Sequence, residues 1–193
     1  MLKKILPTVL AILLLVTSAD AMVLDGRCEV RFFGKSTLHD FDGKVTCQPF
    51  SLHGETSASG GDVLRAPVIS ILVNEMDTDI SGRNKKMQAM FESDRFPTIQ
   101  GKFTDLDPVA VLQQLKEGGE TAGHLAFDLQ IRETSKPVVA STRDFLVTPE
   151  QISFRMEFSL SLADYQLEPA SILGLIRVDD QVRVEVMVVL NRH

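Results

Sequence analysis

The sequence predicts an all-β protein: about eight antiparallel strands closed into a barrel, with one or two short helices covering an end. Three observations predict it. Apolar and polar residues alternate over three late segments: Leu125, Phe127, Leu129 and Ile131; then Ile152, Phe154, Met156, Phe158, Leu160 and Leu162; then Val182, Val184, Val186, Val188 and Leu190. Period-two alternation marks half-buried antiparallel strands. The segments run to ten residues or so in a mostly up-and-down order, long for a sandwich. Their apolar faces are bulky, with Phe32, Phe103, Phe127, Phe154 and Phe158 all in strands. Eight strands is the size at which a closed barrel holds one small ligand. Alternation alone fits a filled interior as well as a lined cavity.

The first residues read as an address. Lys3 and Lys4 precede an apolar run from Ile5 to Val16, and Ala19-Asp20-Ala21 is an A-x-A cleavage site, the layout of a secretory signal peptide. The run is shorter than the roughly 20 residues of a membrane span, and no later stretch is long and apolar enough to span. Residues 1–21 are therefore assigned to the leader and 22–193 to a single exported domain. Losing Lys3, Lys4 and Asp20 would take the formal charge from −6 to −7. An acidic chain lacks the basic face that nucleic acid or anionic lipid head groups demand.

Two strands, Arg27 to Ser36 and Phe41 to Phe50, flank a turn at Thr37-Leu38-His39-Asp40. Cys28 and Cys47 are too far apart for a CxxC redox motif. In an oxidising compartment they are expected to form a disulfide that pins these two strands. The small polar segment from Ser51 to Asp62 reads as a loop. A strand from Val63 to Met76 follows.

Next comes a short helix. Met87, Met90 and Phe91 fall at i, i+3 and i+4 on one stripe, Ser81 is the expected N-cap, and Pro97 bars continuation into the next strand. The stripe serves equally as core filling or as an apolar lid across a barrel mouth, where the adaptable Met side chain suits varied partners. Thr98 to Leu106 is a strand. Asp107-Pro108, with Val109, Leu112 and Leu115 on one side and Gly118-Gly119 after them, reads as a second short helix. A strand from Gly123 to Glu133 turns at Thr134-Ser135-Lys136 into a partner from Pro137 to Val147.

No catalytic or metal signature is present. The histidines, at 39, 53, 124 and 193, have no ligand spacing on one helix or strand. His39-Asp40 reads as a turn-stabilising pair. There is no G-x-S-x-G elbow, P-loop or dinucleotide fingerprint, and Asp77, Asp79 and Asp94 lack Ca²⁺-loop spacing. The expectation is a protein that is not an enzyme and has no cofactor.

Several stretches carry a resemblance to a known family. Val30-Arg31-Phe32-Phe33-Gly34-Lys35-Ser36-Thr37-Leu38-His39-Asp40-Phe41-Asp42-Gly43-Lys44-Val45 resembles the opening hairpin of the YceI-like family. Arg83 to Met87 and Phe91 to Pro97 resemble its helix, Gly123-His124-Leu125 and Thr134-Ser135-Lys136-Pro137-Val138 its central hairpin, and Phe158 to Leu167 its late strand, with Asp164-Tyr165 at the corner. The chain departs from the family pattern at Asn84-Lys85-Lys86-Met87, at Glu133-Thr134, and in having the cysteine pair.

The resemblance implies a periplasmic, lipocalin-like barrel whose partner is an apolar, chain-like lipid: a polyisoprenoid, an isoprenoid quinone or a fatty acyl compound. A bound lipid or isoprenoid chain takes the place of a cofactor. The expected wall is Phe32, Leu72, Phe103, Leu125, Phe127, Leu129, Ile131, Phe154, Met156 and Phe158, with Met87, Met90 and Phe91 as the lid. Two alternatives are a filled-core barrel acting as an envelope stress or protein-interaction module, and an enzyme on a lipid substrate. The sequence sets no oligomeric state and leaves a dimer open.

Overall fold

The alternating segments pair in sequence order into one curled antiparallel sheet. The computed structural model describes residues 23–56, 62–104, 123–169 and 178–192. Its strands are β1 (Val23–Ser36), β2 (Phe41–Thr46), β3 (Phe50–Thr56), β4 (Asp62–Leu64), β5 (Val68–Leu72), β6 (Thr98–Phe103), β7 (His124–Ile131), β8 (Thr134–Val147), β9 (Gln151–Ser161) and β10 (Val178–Arg192). The helix α1 (Ser81–Phe91) lies between β5 and β6. The order across the sheet is β4-β3-β1-β10-β9-β8-β7-β6-β5, with β2 also paired to β1.

What closes the curl is a short seam between β2 and the segment around β5. Lys44 and Asp77 exchange backbone hydrogen bonds of 2.8 and 2.9 Å, and the Gln48 N–H donates to the Ser70 carbonyl at 2.8 Å. Cys47 forms a bridge with Ile71 beside them. The Cys28–Cys47 disulfide, with Cα atoms 5.2 Å apart, ties β1 to the same seam. The expected disulfide is thus present, and it holds the barrel's closure as well as its first hairpin.

The core follows the period-two pattern. Leu24, Cys28 and Phe32 of β1 and Val184, Val188 and Leu190 of β10 are buried, and the register sets Phe32 opposite Val184 and Cys28 opposite Val188. Room for the rings comes from glycines on the neighbouring strand. Phe32 covers Gly43, and Phe50 covers Gly26, so closely that a Cβ at either glycine would lie about 2.2 Å from a ring carbon. On the outer face of β8–β10, Arg143, Arg155 and Arg183 interleave with Asp144, Glu157 and Glu185. Lying on the solvent face and only partly covered, each such pair contributes about 0–1 kcal/mol.

The all-β antiparallel barrel is as expected, with ten strands among the described residues against the roughly eight predicted, and the differences lie in where strands begin and end. Several expectations are corrected. The stretch from Phe41 to Phe50 is not one strand, since β2 ends at Thr46 and β3 starts at Phe50. Residues 51–56, expected as loop, complete β3, because residues 50–53 pair with Val23–Gly26 of β1 and residues 54–56 with Asp62–Leu64 of β4, which supplies the ladder their polar sequence does not announce. The stretch from Val63 to Met76 divides into β4, β5 and a 3₁₀ turn at Val73–Glu75. The central turn sits at Arg132-Glu133, since Ile131 pairs with Thr134 and residues 134–136 already belong to β8. Arg132 adopts φ 53° there, which a glycine would do without strain, and the Glu92 carboxylate holds its guanidinium at 2.6 Å. The leader, the loop residues 57–61 and the second helix at 107–118 lie outside the described residues.

Candidate functional site

The inward faces of the strands do not meet across the barrel. They enclose a cavity of about 550 Å³. Its wall takes Val30 and Phe32 from β1, Ile69 and Ile71 from β5, Ile99, Gly101 and Phe103 from β6, and Phe127, Leu129 and Ile131 from β7. Met156, Phe158 and Leu160 of β9 and the alternate valines 182 to 188 of β10 complete it, with the disulfide sulfurs in the same wall. Phe103 stacks on Phe127 with ring centroids 5.0 Å apart, and Phe158 meets Phe127 edge-on at 5.4 Å. Offset and edge-on arrangements are the favourable ones for such rings, so the three hold one another as a firm apolar surface.

Helix α1 lies over this cavity and presents Arg83, Met87, Met90 and Phe91 to it. Ser81 is not the cap. It is the first helical residue, and Ile80 occupies the cap position with no side-chain hydrogen bond. Asn84 does the fixing instead. Its Oδ1 accepts from the Thr78 N–H and hydroxyl at 3.0 and 2.7 Å, and its Nδ2 donates to Asp77 at 2.8 Å. Those bonds, led by Asn84 and joined by the Asp79 N–H, hold the Asp77 carboxyl below its ordinary pKa. The helix ends at Phe91, short of Pro97. Glu92 turns left-handed (φ 51°), and the Glu92 and Ser93 N–H groups donate to the carbonyls of Ala89 and Gln88.

The cavity's few polar side chains are Ser36 and His39 of the β1–β2 turn and Arg83 and Lys86 of α1; among the described residues no carboxylate lines it. The turn is held by Ser36, whose hydroxyl donates to the His39 carbonyl at 2.8 Å and accepts from the His39 N–H at 3.3 Å. The stabilising bonds expected of the His39-Asp40 pair thus come from Ser36. Among the described residues no group of three His, Cys, Asp or Glu side chains is placed to hold a metal, and no helix is long and apolar enough to cross a membrane.

Of the side chains expected to form the site, Phe32, Met87, Met90, Phe91, Phe103, Phe127, Leu129, Ile131, Met156 and Phe158 line the cavity. Leu72, Leu125 and Phe154 do not. Leu72 is out of phase, because Ile69 and Ile71 are the inward positions of β5. Leu125 and Phe154 pack against the core beyond the cavity, Phe154 stacked on Phe145 at 5.2 Å. The valines of β10 were legible as an alternating face, but aromatic bulk drew the expectation elsewhere. Arg83 and Lys86 were not among the expected site residues, although both fall in the stretch that resembles the family helix.

A model of the YceI-like domain matches residues 28–190. The chain belongs to the YceI-like family. Among curated protein sequences none matches it. Solved structures of this family share the lipocalin-like fold. A polyisoprenoid binding domain from Saccharophagus degradans, implicated in plant cell wall breakdown, aligns at TM-score 0.63 and 17% identity, over 90% of this chain and 99% of that one. Burkholderia cenocepacia BcnA aligns at 0.60 and 12% identity, over 84% and 95%. The Campylobacter jejuni YceI protein aligns at 0.53 and 15% identity, over 78% and 84%.

Proposed function

We propose that this YceI-like protein binds an apolar, chain-like lipid in its barrel: a polyisoprenoid, an isoprenoid quinone or a fatty acyl compound. The observation that carries the reading is the cavity of about 550 Å³ walled by aliphatic and aromatic side chains. That volume falls within the range of about 300–1,000 Å³ typical of small-molecule sites. A filled-core interaction module leaves such a space unaccounted for. The similarity to the polyisoprenoid binding domain from Saccharophagus degradans supports the ligand class.

The energetics favour a chain. Each buried methylene contributes about 0.8 kcal/mol, so burying about fifteen gains about 12 kcal/mol before association costs of at least about 4 kcal/mol. The net corresponds to roughly micromolar binding with no polar contact at all. The role is carriage or sequestration and not catalysis. The leader-like residues 1–21 and the disulfide support an exported, periplasmic protein. Native mass spectrometry of protein purified without detergent, followed by lipid extraction, tests the reading. A co-purifying long-chain lipid at up to one per protein is expected. Protein that neither carries nor takes up such a chain would remove the proposal.

A further inference from the structure

The polar side chains of the cavity are not scattered, and their charge has one sign. Arg83 and Lys86 are three residues apart on α1 and so share one helix face, which looks into the cavity beside His39. The Arg83 guanidinium stands 5.0 Å over the Phe41 ring, which fixes it at the mouth without neutralising it. Among the described residues neither cation has a carboxylate partner. Asp77, the acid that the helix holds through Asn84, does not line the cavity. The first turn of α1 contains no acidic residue, so the positive end of the helix dipole is also left open there. The whole chain, by contrast, carries a net charge of −6. A cationic end on an apolar cavity in an acidic protein is a local arrangement, not a consequence of composition.

We infer that the ligand carries an anionic head group, a phosphate or a carboxylate, which Arg83 and Lys86 hold at the mouth while its chain fills the barrel. This rests on the proposed function and narrows it, favouring a chain that ends in an anion over a neutral quinone or alcohol. The two cations are solvent-accessible, so each ion pair is modest, and together they amount to about tenfold in affinity.

The test is a calorimetric titration of the delipidated protein with farnesyl phosphate and with farnesol, which share one chain and differ in the head group. Farnesyl phosphate should bind about tenfold more tightly. The double variant Arg83→Gln/Lys86→Gln should lose that preference and keep its affinity for farnesol. Lys85→Gln removes one positive charge from an exposed position of the same helix outside the cavity and should keep the preference, which separates local contact from overall charge. Equal binding of the two by the wild type would overturn the head-group inference and leave the cavity reading standing. Failure to bind either chain would remove both. Inorganic phosphate bound as tightly as farnesyl phosphate would overturn it in favour of a free-anion site.

Discussion

Replacing Gly101 with leucine separates a hollow barrel from a packed one, because the two give opposite signs. Gly101 faces inward on β6 between Ile69 of β5 and Leu129 of β7. A Cβ there would meet Phe127 at 3.5 Å and Phe103 at 3.6 Å, ordinary contact distances, so the rest of a leucine side chain would project into the cavity. Burying it stabilises the unliganded protein by about 1.5–3 kcal/mol, and replacing a strand glycine adds about 0.5–1 kcal/mol. For a domain of this size each kcal/mol moves the melting temperature by about 2–4 °C, so Gly101→Leu should melt roughly 4–16 °C higher without ligand. The same four carbons displace about three ligand methylenes, about 2.4 kcal/mol, and should weaken binding of a chain that fills the cavity about fiftyfold. Paired thermal melts and farnesol titrations read both effects. A fall in melting temperature, as overpacking a filled core costs about 1–3 kcal/mol, or unchanged chain affinity, would contradict a hollow barrel.

Three further outcomes follow from the same structure. Met90→Asp places a carboxylate against the apolar wall, where it must be desolvated, protonated or turned outward with its helix; lipid carry-over should fall about tenfold or more with a small change in thermal midpoint, whereas global unfolding would mean that α1 is fixed core and not a lid. Replacing both cysteines with alanine should cost about 2–4 kcal/mol in urea unfolding, since the bond closes the barrel seam as well as the first hairpin, and an unchanged midpoint would contradict that role. Asp77 and Asp180 have carboxyls lowered mainly by hydrogen bonds from Asn84 and Ser161 respectively, and at Glu185 burial acts upward but is outweighed by Arg183, Arg155 and Arg143. Stability from a lowered carboxyl is fully present above its ordinary pKa of about 4 and is lost as pH falls through the folded value. Urea midpoints should therefore drop below about pH 4, less steeply in Asp180→Asn, and a parallel drop in that variant would contradict the assignment.

The barrel was legible where burial is one-sided. In β7, β9 and β10 every second residue is apolar, so the strands and their inward faces could be read directly. It was not legible where the ladder alone makes the strand. In β3 the sequence Ser51-Leu52-His53-Gly54-Glu55-Thr56 offers one buried apolar residue, Leu52, and its strand character comes from pairing with β1 along its first half and β4 along its second. The β8 bulge between Arg143 and Leu146, with Asp144 at φ 58°, shifts the phase of the strand in a way that no alternation rule anticipates. At the site, aromatic and methionine positions were found by size. Ile69, Ile71 and the β10 valines were passed over because each is ordinary by itself and becomes wall only when the curl closes. Arg83 and Lys86 lie off the apolar stripe of Met87, Met90 and Phe91, and their place at the cavity mouth follows only from how the fold sets α1 over the barrel.

The most direct test of a chain-binding barrel is a crystal structure of the protein purified without detergent and supplied with farnesyl phosphate. The expected result is continuous elongated density inside the barrel, running past Phe103, Phe127 and Phe158 and ending in a phosphate beside Arg83 and Lys86. A barrel whose side chains have collapsed to fill the cavity, with any bound chain on the outer surface, would contradict it.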